Sequence, residues 1–255
     1  MQNEFRRVFD TIPEEFDKYR PTYCPELFAD LILTAGIDKT KSVLELGPGT
    51  GQATKPILST GCDYHAIELG EHLTAKMVEK FKSYDNFHIV NDDFITHDFG
   101  SQKFDVIYSA ATIQWIPETV AFPKTFELLK PGGTLAMMLT RGDYRTPNEE
   151  LFHRIQAVYN KHFLPEYEYK NGSFRYVSAV DYGYIDFKKA EYHGIREFTA
   201  DEYVAFSGTH CDHIVIPEPH KSLLFEGLRD AVLKAGNQIT FLDTYVLMTA
   251  KKPLV

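Results

Sequence analysis

The sequence predicts an α/β fold with an open, mostly parallel sheet, and two observations carry that reading. Short apolar runs at Val43–Leu46, Asp63–Glu68, Phe87–Asn91 and Phe104–Ala110 alternate with stretches whose apolar residues recur at helical spacing. That is the rhythm of strands joined by crossover helices. The second observation is the join after the first run, Glu45-Leu46-Gly47-Pro48-Gly49-Thr50-Gly51. Glycine lacks a Cβ, so it takes φ > 0 and lets a ligand approach the backbone closely. A buried strand turning through such a loop into a helix is the pattern of a nucleotide site.

The elements follow in order. Glu14 to Tyr23 is polar and aromatic, Pro25 suits a first helical turn, Leu27, Phe28, Leu31 and Ile32 recur on one face, and Gly36 ends the helix. After the glycine loop, Gln52–Ser59 reads as a helix shortened by Pro56. Glu71–Phe81, with Leu73, Met77, Val78 and Phe81 on one side, is amphipathic. Thr119–Leu129 is helical, Pro131-Gly132-Gly133 is a turn, and Thr134–Thr140 is an apolar strand buried on both faces. From Arg141 to Gly183 the rhythm lapses into a stretch rich in Tyr, Phe, His and Glu, read as an insertion that caps the site and contacts the substrate. A sixth strand is expected over Ile185–Ile195, a helix capped by Thr199 and running to about Ser207, a longer helix over Glu218–Ala235 closed by Gly236, and a last strand over Gln238–Met248. The expected organisation is a single domain: residues 1–36 as a lid, 37–140 as the ligand-binding core, 141–235 as cap and late helices, and 236–255 as the final strand.

Glycine spacing narrows the ligand. Gly47, Gly49 and Gly51 give G-x-G-x-G, one residue short of the G-x-G-x-x-G that seats a dinucleotide pyrophosphate. Glu45, just ahead of the loop, would repel a phosphate and attract a cation. Glu68 ends the second strand roughly 20 residues after the first glycine, where a carboxylate meets ribose hydroxyls. Two carboxylates without a phosphate-binding lysine indicate a nucleoside that carries positive charge.

Val43–Gly51, Glu68 and Leu129-Lys130-Pro131-Gly132-Gly133-Thr134-Leu135 together resemble the class I S-adenosylmethionine-dependent methyltransferases. The resemblance covers about residues 14–140 and implies a Rossmann-like sheet of seven strands, mostly parallel, with helices on both faces and an inserted cap over the active site. It implies S-adenosyl-L-methionine as cofactor, held by Glu45, Gly47, Gly49, Gly51, Glu68, Leu69 and Ser109, with Tyr19 and Arg20 folding over it. Asp93 would accept from the adenine amine and Phe94 flank the ring; Asp92, one position earlier, fits the same spacing. Gln114-Trp115 is similar to the branch that includes trans-aconitate methyltransferases, and places both residues on the acceptor side, although core packing serves Trp115 equally well. The Asn/Asp-Pro-Pro-aromatic element of enzymes that methylate base amines is replaced here by Ser109-Ala110-Ala111-Thr112. An Asp-His pair resembling Asp212-His213 occurs in similar small-molecule enzymes, which makes His213 a candidate base.

Composition bounds the partners. The 255 residues carry a net charge of −9 and no basic stripe, which points to a small-molecule acceptor rather than nucleic acid. No apolar run is long enough to span a membrane, and the N-terminal residues lack a signal-peptide pattern. Cys24, Cys62 and Cys211 lack C-x-x-C spacing, so no metal cluster is expected and a cytoplasmic setting is. His210, His213 and His220 precede or flank Pro217 and Pro219 and read as a polar rim, with no metal assigned. The expected assembly is a monomer or homodimer. Rival readings are a methyltransferase for protein or RNA, a protein that binds the cofactor without turnover, and an NAD dehydrogenase, the last disfavoured by glycine register and Glu45.

Overall fold

The computed structural model describes residues 5–165 and 174–255. The portion of the expected cap at 166–173 lies outside the described residues. Seven strands form one sheet in the order β3-β2-β1-β4-β5-β7-β6. They are β1 (Ser42–Leu46), β2 (Asp63–Glu68), β3 (Phe87–Asn91), β4 (Phe104–Ala110), β5 (Leu129–Asp143), β6 (Ile185–Phe198) and β7 (Ile239–Lys251). β1 pairs in parallel with both β2 and β4, β2 with β3, and β4 with β5. The sequence-based α/β reading is therefore the observed fold.

The chain divides into two compact units that it visits alternately. The larger holds Pro21–Thr140, residues 174–192, and Tyr245–Val255; the smaller holds the N-terminal residues up to Arg20, residues 141–165, and His193–Thr244.

In the larger unit the strand pleat sorts side chains onto two faces. Leu44, Leu46, Ile67, Ile107, Leu135 and Met137 join one core cluster with Ala121, Phe122 and Leu128 of a helix at Glu118–Leu128. Their alternate neighbours Val43, Tyr64, Ala66, Val106, Tyr108, Ala136 and Met138 join a second cluster. That cluster includes Leu27, Phe28 and Leu31 of a helix at Pro25–Ala35, Ile57 and Leu58 of one at Thr54–Leu58, and Met77 and Phe81 of one at Glu71–Phe81. Gly36 stops the first of these in the left-handed region at φ 61°. The helix after the glycine loop is only five residues long, shorter than expected at both ends.

One expectation is corrected. Pro131-Gly132-Gly133 lies inside β5 as a bulge: the register passes from Phe104↔Leu129 to Val106↔Thr134, so the extra residues bow out. Gly132, at φ 76°, donates its N–H to Lys252 O, and Lys252 N–H returns to Gly133 O, so the bulge is tied down rather than free.

The smaller unit is built on helices at Glu149–His162, Ala200–Ser207 and His220–Lys234 around Leu151, Ile155, Tyr203, Phe206, Leu224, Leu228, Val232 and Phe241. The first lies in the stretch where no regular rhythm is apparent from the sequence. Thr199 caps the second as expected, in a capping box with Glu202. Asp243, 1% exposed, receives a bidentate pair from Arg196, whose guanidinium also lies over the rings of Phe198, Phe206 and Phe241.

Candidate functional site

The glycine loop is fastened through its backbone. Gly47, Gly49 and Gly51 have φ of 59°, 61° and 94°, a region open to glycine and strained for other residues. Gly47 N–H donates to Ile67 O at 2.9 Å, carrying the β1–β2 ladder one step past the strand. Thr112 Oγ1 donates to Gly47 O at 2.9 Å, and a Cβ on Gly47 would stand 2.3 Å from Thr112 Cγ2. Lys80 Nζ donates to Thr50 O at 2.7 Å. A Cβ on Gly51 would meet Phe81 at 2.7 Å.

Glu68, 6% exposed at the end of β2, joins this loop to the next. Its Oε2 accepts from Gly49 N–H and its Oε1 from Gly70 N–H, each at 2.9 Å. Leu69, half-buried, follows it.

Glu45 is placed differently. It shares a strand face with Val43, is fully buried, and its Oε2 accepts from the hydroxyls of Thr54 at 2.7 Å, Tyr108 at 2.6 Å and Tyr64. Its Oε1 is buried and takes no hydrogen bond. Burial raises its carboxyl above the usual range, against the three hydroxyls, which lower it. Burial, followed by the Glu45 charge, holds Tyr64 and Tyr108 well above the ordinary phenol range. Glu45 therefore sits in the sheet interior, tying β1, β2, β4 and the short helix together.

At the end of β3, Asp92 N–H continues the ladder to Glu68 O at 3.0 Å. Asp92 Oδ2 accepts from His97 Nδ1 at 2.7 Å, the main reason its carboxyl is held low, and its Oδ1 accepts from Asp93 N–H. Asp93 Oδ1 accepts from Ile95 N–H at 2.9 Å. Phe94 is buried beside Phe99, with Lys124 over its ring. At the end of β4, the buried Ser109 Oγ accepts from Ile113 N–H at 2.8 Å. Ala111 turns with φ 55°, which delivers Thr112 to the glycine loop. Gln114 donates to Ala111 O and accepts from Tyr176 OH, and Trp115 is half-buried in the short turn Ile113–Trp115.

Thus Gly47, Gly49, Gly51, Glu68, Asp92, Asp93, Ser109 and Gln114 all lie at or just beyond the carboxyl ends of β1 to β4, where ligands bind in open α/β sheets. Sequence reasoning passes over Thr112, Ala111 and Lys80. None belongs to a local motif, though a polar Thr112 soon after β4 is visible.

The other candidates belong to the smaller unit. Tyr19 ends a helix at Pro13–Tyr19 and packs against that unit's core, with Lys18 Nζ over its ring. Arg20 lies over the rings of Phe9 and Phe16. His213, 6% exposed in a short helix at Cys211–Ile214, pairs through Nδ1 with Asp212 Oδ1 at 2.7 Å and through Nε2 with Tyr159 OH at 2.8 Å. Burial raises the Tyr159 phenol. Burial is the largest single influence on Asp212 and opposes its ionisation, but the His213 hydrogen bond and the neighbouring histidines together hold the carboxyl low. His210, its ring 5.3 Å from that of His213, is pushed down to about 3 by burial first and then by the Arg20 charge, so it is neutral near pH 7.

The larger unit's acidic acceptors suit hydroxyl and amine donors, and the lysine at the loop, Lys80, is spent on Thr50 O. Residues 44–135 match the family model described as methyltransferase domain. Ribosomal RNA small subunit methyltransferase A of Clostridium botulinum is 34% identical over 103 residues, 40% of this chain and 36% of that protein. The chain thus spans little more than a third of that relative's length. Among solved structures, Haemonchus contortus phosphoethanolamine N-methyltransferase 2 superposes with a TM-score of 0.58 at 18% identity, over 98% of this chain and 60% of that one. The YcgJ protein of Bacillus subtilis gives 0.60 at 12% identity, over 89% and 98%. Residues 44–135 thus match a methyltransferase domain, and the fold built around them is one that solved methyltransferase structures share.

Proposed function

We propose that the chain is an S-adenosylmethionine-dependent methyltransferase acting on a small-molecule acceptor. The observation that carries this is the loop of three left-handed glycines fastened to Glu68 on one side and Thr112 on the other. Bound there, the cofactor would supply a methyl group on a positively charged sulfur, open to in-line displacement. Glu68, held to the loop by two amides, would accept from the ribose hydroxyls. Asp93 or Asp92 would receive the adenine amine, and the fixed loop would orient the methyl before the acceptor arrives, which is where much of the acceleration in such a transfer arises.

An acceptor that must lose a proton needs a base, and we assign that task to His213, oriented by Asp212 at Nδ1: the proton would pass to the Tyr159 oxygen as the Tyr159 hydroxyl gives its own to His213 Nε2. A fall in kcat with unchanged cofactor affinity in His213→Gln supports the assignment; an unchanged kcat removes it. Tyr19, Arg20, Gln114 and Trp115 remain proposed contacts for cofactor and acceptor. A cytoplasmic location suits the three free cysteines, and no helix of the described residues is long and apolar enough to cross a membrane.

The likeness to a ribosomal RNA methyltransferase favours a second reading, an RNA acceptor. The net charge of −9 weighs against it. Incubation with methyl-labelled S-adenosylmethionine and cell extract, separated into small-molecule, RNA and protein fractions, decides the matter. Label in small molecules is expected; label confined to RNA or protein overturns the acceptor class. Release of methanol by mild base would identify a carboxyl ester.

A further inference from the structure

At the opposite ends of β2 and β3 from the acids lies a group of side chains that the methyltransferase reading does not use. Asp63 and His65 are two residues apart on β2, hence on one face, and the parallel register sets His88 of β3 directly beside His65. Their potential ligand atoms all lie within 4.8 Å of one another. The Asp63 carboxylate straddles the two rings, Oδ2 at 3.1 Å from His65 Nε2 and Oδ1 at 3.5 Å from His88 Nε2. The ring centroids are 4.9 Å apart.

We propose that Asp63, His65 and His88 form a binding site for a divalent first-row cation, with Zn²⁺ as the probe. A tetrahedral zinc with bonds of about 2.0–2.2 Å has ligand–ligand edges of roughly 3.3–3.6 Å; ligand atoms already within 4.8 Å of one another reach that spacing by small side-chain rotations, with one carboxylate oxygen turning to face both rings. Two imidazoles and one carboxylate are the donor set that zinc, nickel and copper prefer over magnesium or calcium. Neighbours orient the ligands: Ser42 Oγ donates to Asp63 Oδ2 at 3.2 Å, and the edge of Phe104 meets the His65 ring at 5.6 Å. The side chains of Asp63 and His88 are about half exposed, at 54% and 53%, which leaves an entry path and room for water to complete the coordination. Cys62, the nearest thiol in sequence, is fully buried with its Sγ on Ile57 O, so the set is His₂Asp without sulfur.

The site would act as a clamp. β3 is the edge strand of the sheet, and a cation shared between His65 and His88 ties it to β2 at the start of the two strands. Their far ends carry Glu68, Asp92 and Asp93.

The test is titration of chelator-treated full-length protein with Zn²⁺, followed by calorimetry and thermal unfolding, alongside His65→Gln, His88→Gln and Asp63→Asn. One Zn²⁺ per chain and a raised melting temperature are expected, with affinity at least tenfold weaker in each variant and unchanged in a Cys24→Ser/Cys211→Ser control. Because His88 is exposed on the edge strand, His88→Gln should fold, which far-UV circular dichroism checks. Co²⁺ should give four-coordinate visible bands that vanish in His65→Gln/His88→Gln. Equal affinity in wild type and the three variants, or Co²⁺ bands that survive the double substitution, overturns the site.

Discussion

The glycine loop and the core of the smaller unit are held by different kinds of bond. The loop is fixed by main-chain groups: Gly47 N–H to Ile67, Gly49 N–H to Glu68, Gly47 O to Thr112. The smaller unit relies on side chains, with Arg196 paired to buried Asp243 under three aromatic rings and His213 between Asp212 and Tyr159. Backbone fastening fixes a shape at the cost of almost any substitution with a Cβ. Side-chain fastening tolerates exchange of whole partners and punishes removal of one.

The largest effect should therefore come from halving a side-chain pair. Arg196→Met leaves Asp243 buried without its bidentate partner, and should lower unfolding free energy by about 3–5 kcal/mol in urea titration. A loss under about 1 kcal/mol would mean that the aromatic packing, retained by Met, carries the region.

Gly47→Ala should come next, at about 2–3 kcal/mol, from a left-handed non-glycine residue together with the Thr112 clash. The two causes separate in Thr112→Ser, which deletes Cγ2 and keeps the hydroxyl. The double variant should recover only the part due to Cγ2, since Oγ1 would still stand 2.8 Å from the new Cβ, and full recovery would show that neither that contact nor φ matters.

Glu68→Ala should weaken S-adenosylhomocysteine binding by about 1–3 kcal/mol, measured calorimetrically, as expected for a hydrogen bond to a charged group. Unchanged affinity would mean the ribose is held elsewhere.

The smallest effect is a slope. Burial raises the folded-state carboxyl of Glu45, so the folded chain binds a proton that the unfolded chain has released, and stability falls as pH rises from about 4.3 through the raised value. Glu45→Gln removes that slope, so its stability relative to wild type should improve as pH rises above about 4.3. A relative stability that declines with pH would show that the carboxylate is favoured in the interior.

The same contrast explains what the sequence discloses. Gly47, Gly49, Gly51 and Glu68 are legible because left-handed backbone demands glycine and a strand end positions an acid at a set interval. Glu45 is legible as an acid, but its burial follows from the pleat: it alternates with Leu44 and Leu46 and so shares the face of Val43 with Tyr64 and Tyr108. Thr112 and Lys80 reach the loop from 65 and 30 residues away in the chain, beyond any local spacing. Asp212-His213 is readable as a neighbouring pair, whereas Tyr159, 54 residues earlier than His213, is brought in by packing alone. The helix at Glu149–His162 does carry Leu151, Ile155, Val158 and Tyr159 at helical spacing, but this narrow stripe is set among charged, histidine and aromatic residues that mask it.

The alternating path of the chain between its two units sets a schedule for biosynthesis. Residues up to Arg20 belong with a unit that is complete only at Thr244, 224 positions later (244 − 20). At about 5–20 residues per second a ribosome needs roughly 10–45 s to cover that interval. Throughout it, the aromatic residues Phe9, Phe16 and Tyr19 await their remaining partners, while β1 and β2, separated only by the glycine loop and one short helix, can pair as soon as both have emerged.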